Sequence, residues 1–472
     1  MYDVIIIGGG PAGYRAAERF AELKRQVLLV EKAEIGGTCL NVGCIPTKTL
    51  INSAKLYVHA REGERFGVKA EGVSFDLARM MAWKTEVVEK LRAGIVGGLK
   101  HGKVEIVAGS AEILGRGKVR VLPAGGEAKV EECKAILVAT GSTPIVPPIP
   151  GVAGNALVVD STGALDMASV PKRFCVIGGG VIGVEFASLY SSLGSEVTVV
   201  EMMDEIVPFM DADLAPVLRR AMKDVKWKLG CKVEAIDAKG GGDAKGVGEG
   251  ATVRYVTKDG TKEAVEADLV LMAIGRRPVL QGWGAEAAGL DLTPRGVVTD
   301  DRMRTSVPGI WAAGDLTGRS QLAHSAYRMA EVAALDIEAV LAGESGGPMR
   351  WRGEAVPWAV YSLPEAAGVG MTEQEAKAKG IDARSVRIPL RASGRFAAEN
   401  GFQAHGAVKL VAEAGTGRIL GVHCVGSYAS ETIWGGAALI EQETRVAELR
   451  EIIMPHPTVW ELLRDAAWQL EV

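Results

Sequence analysis

Residues 3–32, DVIIIGGGPAGYRAAERFAELKRQVLLVEK, run from a short apolar stretch through a glycine cluster and an amphipathic stretch into a second apolar run that ends in glutamate. That succession predicts a buried strand, a tight turn, a helix and a second strand, which together make a βαβ unit. Residues 174–202, FCVIGGGVIGVEFASLYSSLGSEVTVVEM, repeat it, and the interval from Gly8 to Glu31 equals that from Gly178 to Glu201. A lone G-x-G-x-x-G is a weak signal. Set between strand and helix and followed by an acid at this distance, it reads as a dinucleotide cradle. Gly8 and Gly178 permit the tight turn, Gly10 and Gly180 let the backbone approach a pyrophosphate, and Gly13 and Gly183 let helix and strand pack closely. Glu31 and Glu201 are placed to accept ribose hydroxyls. Two cradles in one chain predict two dinucleotides, most simply a flavin and a nicotinamide that exchange electrons.

Composition bounds what surrounds these units. A chain of 472 residues is too long for one core and suggests about three or four domains. The net charge of −4 is spread along the chain and offers no basic stripe, so nucleic acid is not an expected partner. The start, MYDVIIIG, lacks a basic leader, and no apolar run is long enough to span a bilayer. Six cysteines in a chain of this length are no secreted disulfide framework. A reducing compartment, the cytoplasm, is expected, with any disulfide a catalytic one.

Residues 36–48, GGTCLNVGCIPTK, place two of those cysteines five positions apart. In a regular helix Cys39 and Cys44 would stand about 7.5 Å apart along the axis and on different faces, beyond disulfide reach. The intervening LNVG is therefore expected to distort, with Asn41 and Gly43 suited to it. A helix should run onward from about Ile45, with Pro46 in its first turn. Cys44 then lies at a helix N-terminus, where the dipole favours thiolate. Two unequal thiols suit disulfide exchange, one attacking and one resolving. Cys133, Cys175, Cys231 and Cys424 lack such spacing and read as structural. Lys48, one turn beyond Cys44, could place a cation against developing negative charge.

Thiol chemistry also moves protons, and histidine is the usual base. Of six histidines, His59, His101, His405 and His423 read as surface or capping residues, and His324 as positional. His456 in MPHPTVWELL differs, because Glu461 can return a carboxylate to the imidazole if Pro457 and Thr458 turn the chain. The alternative is a histidine that only caps the following helix.

Further phrases join these: AILVATGS (135–142), LVLMAIGRRP (269–278) and GIWAAGDLT (309–317), each a strand ending in a small-residue turn. With GGGPAG, GGTCLNVGCIPTK, GGGVIGVE and HPTVWE in this order, the chain resembles the flavin-dependent pyridine nucleotide disulfide oxidoreductases over essentially its whole length. Within them it is most similar to the dihydrolipoamide dehydrogenases. The resemblance implies an α/β fold with two Rossmann-like domains, one for FAD and one for NAD, and a C-terminal α+β dimerisation domain. It divides the chain into residues 1–150 for FAD, 151–275 for NAD, 276–345 completing the FAD site, and 346–472 for dimerisation. PIVPPIPG (144–151) marks the first boundary, and KGGGDAKGVGEG (239–250) reads as a flexible hairpin excursion.

By the same resemblance the first cradle, with Lys48, Thr140, Gly141, Asp315 and Ala323, would hold FAD. The second, with Glu185 and Gly275, would hold NAD, and Lys48 would pair with Glu185. Cys39 would be the interchange thiol and Cys44 the thiol facing the flavin. His456, after a cis bond to Pro457, would serve as base at the disulfide of a partner subunit in a homodimer. No metal is implied. The implied activity is electron transfer from dihydrolipoyl groups to NAD, the groups being carried by the lipoyl domain of a 2-oxo acid dehydrogenase complex or by the lipoyl carrier protein of glycine cleavage. The alternative is another flavin disulfide, quinone or dye reductase of the family.

A mercuric reductase is disfavoured because no cysteine follows Cys424, and NADP because MMDEIV after Glu201 contains no arginine or lysine. Two stretches depart from the family pattern: Trp460 stands where a small residue is usual, and SAYRMAEVA (325–333) lacks the usual Lys and Glu-Gly. Five of the nine tryptophans fall after residue 350 and read as packing and interface residues.

Overall fold

The structure is a computed structural model describing residues 1–238 and 250–472. The expected hairpin excursion at 239–250 lies, apart from Gly250, outside the described residues. The chain forms two compact units: residues 1–49, 79–145 and 276–353 make the first, and residues 50–78, 146–275 and 354–472 the second.

The first unit is built on a parallel sheet whose strands lie in the order Glu105–Gly115, Val27–Glu31, Tyr2–Ile7, Lys129–Val138, Ile310–Ala312. Val4–Ile7, Val27–Val30 and Ala135–Val138 at its centre are continuous buried apolar runs because both faces are covered there. Val4 to Ile7 pair with Val27 to Val30 on one side and with Ala135 to Val138 on the other. The chain reverses direction of travel between Tyr2–Ile7 and Lys129–Val138, which is the switch point where open α/β sheets bind ligands. The helices Pro11–Glu22 and Ala323–Leu341 belong to this unit, tied by Arg25 to Glu338 at 2.8 Å and Arg15 to Glu331 at 2.9 Å.

The second unit repeats the arrangement with the strand order Val225–Lys228, Glu196–Val200, Arg173–Ile177, Leu269–Met272, Val158–Val159, all parallel. It continues into an antiparallel sheet, Trp358–Val360, Ala366–Gly370, Ile419–Val425, Ala407–Glu413 and Ala383–Pro389, which packs against the helices Ala429–Glu441 and Leu462–Gln469. The fold is α/β, with the antiparallel C-terminal sheet as the expected α+β part.

One histidine corrects the sequence reading. His423 is not at the surface and caps nothing: it is fully buried in Ile419–Val425, its Nε2 bonded to the Met371 carbonyl at 3.0 Å. That strand is buried at every position, so alternation gave no hint of which side chains face in. Of the late tryptophans Trp351 is buried, while Trp434 and Trp468 are exposed. No helix among the described residues is long and apolar enough to cross a membrane.

Candidate active site

The first glycine turn sits at the switch point of its sheet. Gly8 has φ of +105°, and a Cβ there would lie 2.3 Å from the Ala139 carbonyl oxygen; a Cβ on Gly13 would lie 1.8 Å from the Gly8 oxygen. These two glycines answer to the chain's own backbone. Gly10, which precedes the helix Pro11–Glu22, does not: the nearest atom to a Cβ there is Gly37 Cα at 3.8 Å, an ordinary contact. The missing side chain at Gly10 keeps a helix N-terminus open to an anion, as a pyrophosphate requires. Glu31 stands at the end of its strand, where Oε2 accepts Gly9 N–H at 2.6 Å and Oε1 accepts Ala33 N–H at 2.7 Å. Each oxygen keeps acceptor capacity for a hydroxyl.

Around this turn the structure brings Thr140, whose hydroxyl donates to the Val279 carbonyl at 3.1 Å, and Gly141, at φ of +70°. It also brings Asp315, in the short turn Gly314–Thr317 after the strand Ile310–Ala312. Ser142 donates to Asp315 at 2.6 Å. Burial pushes the Asp315 carboxyl up, against the Ser142 bond and the Arg276 charge. Ala323 begins the helix Ala323–Leu341.

Sequence reasoning missed Ser142 and Arg276 as members of this group. Arg276 donates to Ser142 Oγ at 2.8 Å and to its carbonyl at 2.7 Å, and reaches Thr38 Oγ1 at 3.4 Å, next to Cys39. The signal was the second small-residue turn, AIGRRP, whose Arg276–Pro278 pairs antiparallel with Ser142–Pro144. An open Gly10, an acceptor-rich Glu31 and a half-buried Asp315 fit a flavin dinucleotide.

The second turn has the same construction. A Cβ on Gly178, φ +105°, would lie 2.5 Å from the Ala273 oxygen, and one on Gly183 would lie 1.9 Å from the Gly178 oxygen. At Gly180 a Cβ would meet nothing within 4 Å. Glu201 accepts Gly179 N–H and, at 2.6 Å, Met203 N–H. The cations brought to the loop after Glu201 are held by acids: Arg219 on Glu205 at 2.9 and 3.1 Å, Lys258 on Asp204 at 2.7 and 2.8 Å. That leaves a carboxylate, rather than a guanidinium, to meet the ribose, which suits NAD. Gly275 ends the turn after Leu269–Met272 at φ +118°. Glu185, on the helix Val181–Ser192, accepts Tyr361 N–H at 3.0 Å.

The cysteine stretch departs from expectation in an instructive way. LNVG is not a distorted loop: Gly37–Val42 is helical, and the break is confined to Gly43, at φ −144° and ψ −109°. A new helix, Cys44–Glu62, starts one residue earlier than expected. A Cβ on Gly43 would lie 2.8 Å from the Thr38 oxygen, so glycine is what lets the chain break helical register in one step and bring Cys44 back to Cys39. Asn41 does not distort the chain either; its amide donates to the Gly37 and Ile35 carbonyls at 3.0 and 3.1 Å and locks the preceding turn. Both cysteines are thiols and are half-buried. A hydrogen bond with Cys44, then burial and the negative charge of Cys44, push the Cys39 thiol far up, while the Lys48 ammonium pulls the other way.

In the second unit the His456–Pro457 peptide is cis. His456 Nδ1 lies 2.9 Å from Glu461 Oε2, with the imidazole largely exposed and the carboxylate buried. Glu461 Oε1 also accepts Thr458 N–H at 3.4 Å, and Thr458 donates to the Pro455 carbonyl at 2.9 Å. The expected His456–Glu461 pair is thus formed, with the imidazole exposed. Among the described residues no group of three or more His, Cys, Asp and Glu side chains gathers to hold a metal.

Residues 2–330 match the family model described as pyridine nucleotide-disulphide oxidoreductase, and residues 356–467 match its dimerisation domain. The dihydrolipoyl dehydrogenase of Geobacillus stearothermophilus is 39% identical over 98% of this chain and 95% of its own length. That of Thermus scotoductus is 40% identical over 99% and 96%. Among solved structures, the Cu(II) complex of the HOCl-induced flavoprotein disulfide reductase RclA of Escherichia coli superposes with a TM-score of 0.85 at 30% identity, covering 99% of each chain. LpdA of Mycobacterium tuberculosis gives 0.86 at 29%, again covering 99% of each.

Proposed function

The chain belongs to the pyridine nucleotide-disulphide oxidoreductase family and is an oxidoreductase that uses FAD and NAD, and we propose that it oxidises dihydrolipoyl groups as a homodimer. The observation that carries this reading is the pair of neighbouring cysteine thiols brought together across the Gly43 break beside a lysine. Full-length similarity to two dihydrolipoyl dehydrogenases supports the choice of substrate.

In this reading a dihydrolipoyl thiolate attacks Cys39 of the Cys39–Cys44 disulfide, and Cys44 leaves as thiolate. The second substrate thiol gives its proton to His456 of a partner subunit and attacks the substrate sulfur of the mixed disulfide. Lipoyl disulfide forms and Cys39 is released, so two electrons now reside on the cysteine pair. Bound FAD supplies a two-electron carrier between this pair and NAD. Gly10, Glu31, Lys48, Thr140, Gly141, Asp315 and Ala323 would hold it, and Gly180, Glu185, Glu201 and Gly275 the nicotinamide dinucleotide. Residues 1–150 and 276–345 then serve the flavin, 151–275 the nicotinamide, and 346–472 the dimer. Glu461 keeps the imidazole of His456 in one tautomer, with Nε2 free to take the proton. A lipoyl domain or lipoyl carrier protein would deliver the substrate.

The test is a comparison of NADH formation from free dihydrolipoamide with reduction of a quinone and of glutathione disulfide. Dihydrolipoamide with NAD should be the preferred pair. NADP should be poorer by about tenfold or more, because a charge-assisted ribose bond gives way to repulsion by Glu201. Turnover of quinone or glutathione disulfide without any of dihydrolipoamide would overturn the reading in favour of another reductase of the family.

A further inference from the structure

Each glycine turn is held from one side by a backbone donor that arrives after the glutamate. In the first cradle Gly36 donates to the Gly9 carbonyl at 2.8 Å, from a φ of +103° that glycine adopts freely. In the second, Val207 donates to the Gly179 carbonyl at 2.8 Å, from a φ of +45°. That bond fixes the plane of the peptide between Gly179 and Gly180. A trans peptide is planar, so with the Gly179 carbonyl turned to Val207 the Gly180 N–H is turned away from it, at the N-terminus of the helix Val181–Ser192 where a pyrophosphate would lie. Val207 is fully buried, and a β-branched residue keeps a left-handed backbone only where its surroundings over-determine it.

Those surroundings include side chains of the C-terminal sheet. Past Glu201 the chain runs without helix or strand through residues 202–214, and this strap is tied to that sheet beyond Val207. Phe209 meets Trp358 edge to face at 5.1 Å and 85°. Asp211, fully buried, takes the Lys409 ammonium at 3.0 Å and the Glu373 N–H at 3.3 Å. Arg387 donates to the Asp213 carbonyl at 3.2 Å. Trp358, Arg387 and Lys409 stand on the strands Trp358–Val360, Ala383–Pro389 and Ala407–Glu413. Lys409 also binds the Asp213 and Glu373 carboxylates, each at 2.7 Å. Taking an ammonium and carboxylates out of water offsets much of their attraction, so the cluster adds little stability over an apolar contact. What it supplies is a fixed place for Asp211, four residues beyond Val207.

We propose that Lys409 is a positioning residue for the nicotinamide dinucleotide: by pinning Asp211 to the C-terminal sheet it holds Val207 on the Gly179 carbonyl and keeps the Gly180 N–H aimed at the pyrophosphate. Phe209 against Trp358 is the second pin. The cradle then depends on side chains from the part of the chain that matches the dimerisation model. The proposal rests on the second cradle taking the nicotinamide dinucleotide, and not on which dithiol supplies the electrons.

The test is calorimetric titration of the oxidised holoenzyme with ADP-ribose, which carries ribose and pyrophosphate but no nicotinamide, and with adenosine, which carries the ribose without the pyrophosphate. Lys409→Met should cut the pinned population to about a tenth and so weaken ADP-ribose by about tenfold. Phe209→Ala, at a partly exposed side chain, should weaken it by about two- to fivefold and carries the test if Lys409→Met does not fold. Adenosine affinity should move by less than about twofold in both, because the aimed N–H serves the pyrophosphate. In turnover the loss should fall on KM for NAD rather than on kcat, since saturating NAD repopulates the pinned strap. Flavin content per chain reports folding. Wild-type ADP-ribose affinity in either flavin-loaded variant, or equal losses of ADP-ribose and adenosine, would overturn the proposal. Gly180→Ala separates the two claims: unchanged ADP-ribose affinity there would remove the dinucleotide from this cradle altogether, whereas weakened binding there beside unweakened binding in the strap variants would confine the failure to Lys409.

Discussion

Gly8 and Gly178 both adopt φ of +105°, and the helices beyond them are entered through Gly10 and Gly180 with dihedrals that differ by no more than 2°. In each cradle the terminal glutamate holds the middle glycine, Gly9 or Gly179. Past the glutamate the two cradles diverge. In the first, Gly36, at φ +103°, donates to the Gly9 carbonyl at 2.8 Å, Gly37 lies against Gly10, and the cysteine helix begins. In the second, Val207 makes the corresponding bond to the Gly179 carbonyl at 2.8 Å, at a φ of +45° that a β-branched residue adopts only under strain, and nothing approaches the Cβ position of Gly180. Both turns leave room for a pyrophosphate, but the first is flanked by the start of the cysteine helix and the second has no such neighbour at Gly180. A flanked cradle suits a resident dinucleotide beside the dithiol, and an open one suits a dinucleotide that comes and goes at each turnover.

Gly13→Ala and Gly183→Ala should break this comparison most severely, because each forces a carbon to within 2 Å of a backbone oxygen that no side-chain movement can clear. Gly13→Ala should cost about 3 kcal/mol or more and strip the flavin. Gly183→Ala should keep its flavin, counted by visible absorbance per chain, and lose NADH binding. Loss of flavin from Gly183→Ala would contradict the division of labour.

Lys409 tests how the open cradle is held. Its ammonium, almost wholly buried, binds Asp211 at 3.0 Å, Asp213 at 2.7 Å and Glu373 at 2.7 Å, and Asp211 lies just beyond the Val207 turn. Lys409→Met leaves the fully buried Asp211 without its cation and should destabilise the second unit by about 3 to 5 kcal/mol in denaturant unfolding near neutral pH. The pH dependence has a definite sign. The hydrogen bond from Lys409 holds Glu373 below its ordinary 4.5, so that stabilisation is present above 4.5 and is lost as pH falls through the lowered value. Burial alone would pull Lys409 down, but its hydrogen bonds to Asp213, Glu373 and Asp211 hold it above 10.5. That part is complete below 10.5 and is lost as pH rises through the raised value. The gap between wild type and variant should therefore narrow at both extremes.

Gly180→Ala is the finest probe. The site has φ of −73° and open space, so alanine should fold there and raise stability by about 0.4 to 1 kcal/mol through the unfolded chain. It should also weaken NADH binding, measured by fluorescence titration, because the pyrophosphate needs that space. Unchanged NADH affinity would mean that the opening serves no ligand.

The glycine turns, the cysteine pair and the His456–Glu461 couple were legible in the sequence because their partners lie within a few residues or repeat at a fixed interval. The pairing of Tyr14 with Tyr327 spans 313 positions, and that of Lys409 with Asp211 spans 198, so no local pattern announces either. The short helix Gly37–Val42 escaped because its flanking glycines read as loop punctuation, while the structure uses Gly43 as a one-residue break between two helices. His423 escaped because a strand buried on both faces has no alternation to read.

The most direct measurement is trapping of the mixed disulfide. The Cys44→Ser enzyme, reduced and then incubated with the symmetrical disulfide of S-methyl dihydrolipoamide, a lipoyl analogue whose blocked second sulfur cannot expel Cys39, lacks the resolving thiol, so Cys39 should accumulate a covalent adduct that peptide mass assigns to that residue. The Cys39→Ser enzyme should accumulate none. An adduct on Cys44 in Cys39→Ser, with none on Cys39 in Cys44→Ser, would reverse the roles of the two thiols, and no adduct in either variant would contradict disulfide exchange with a lipoyl group.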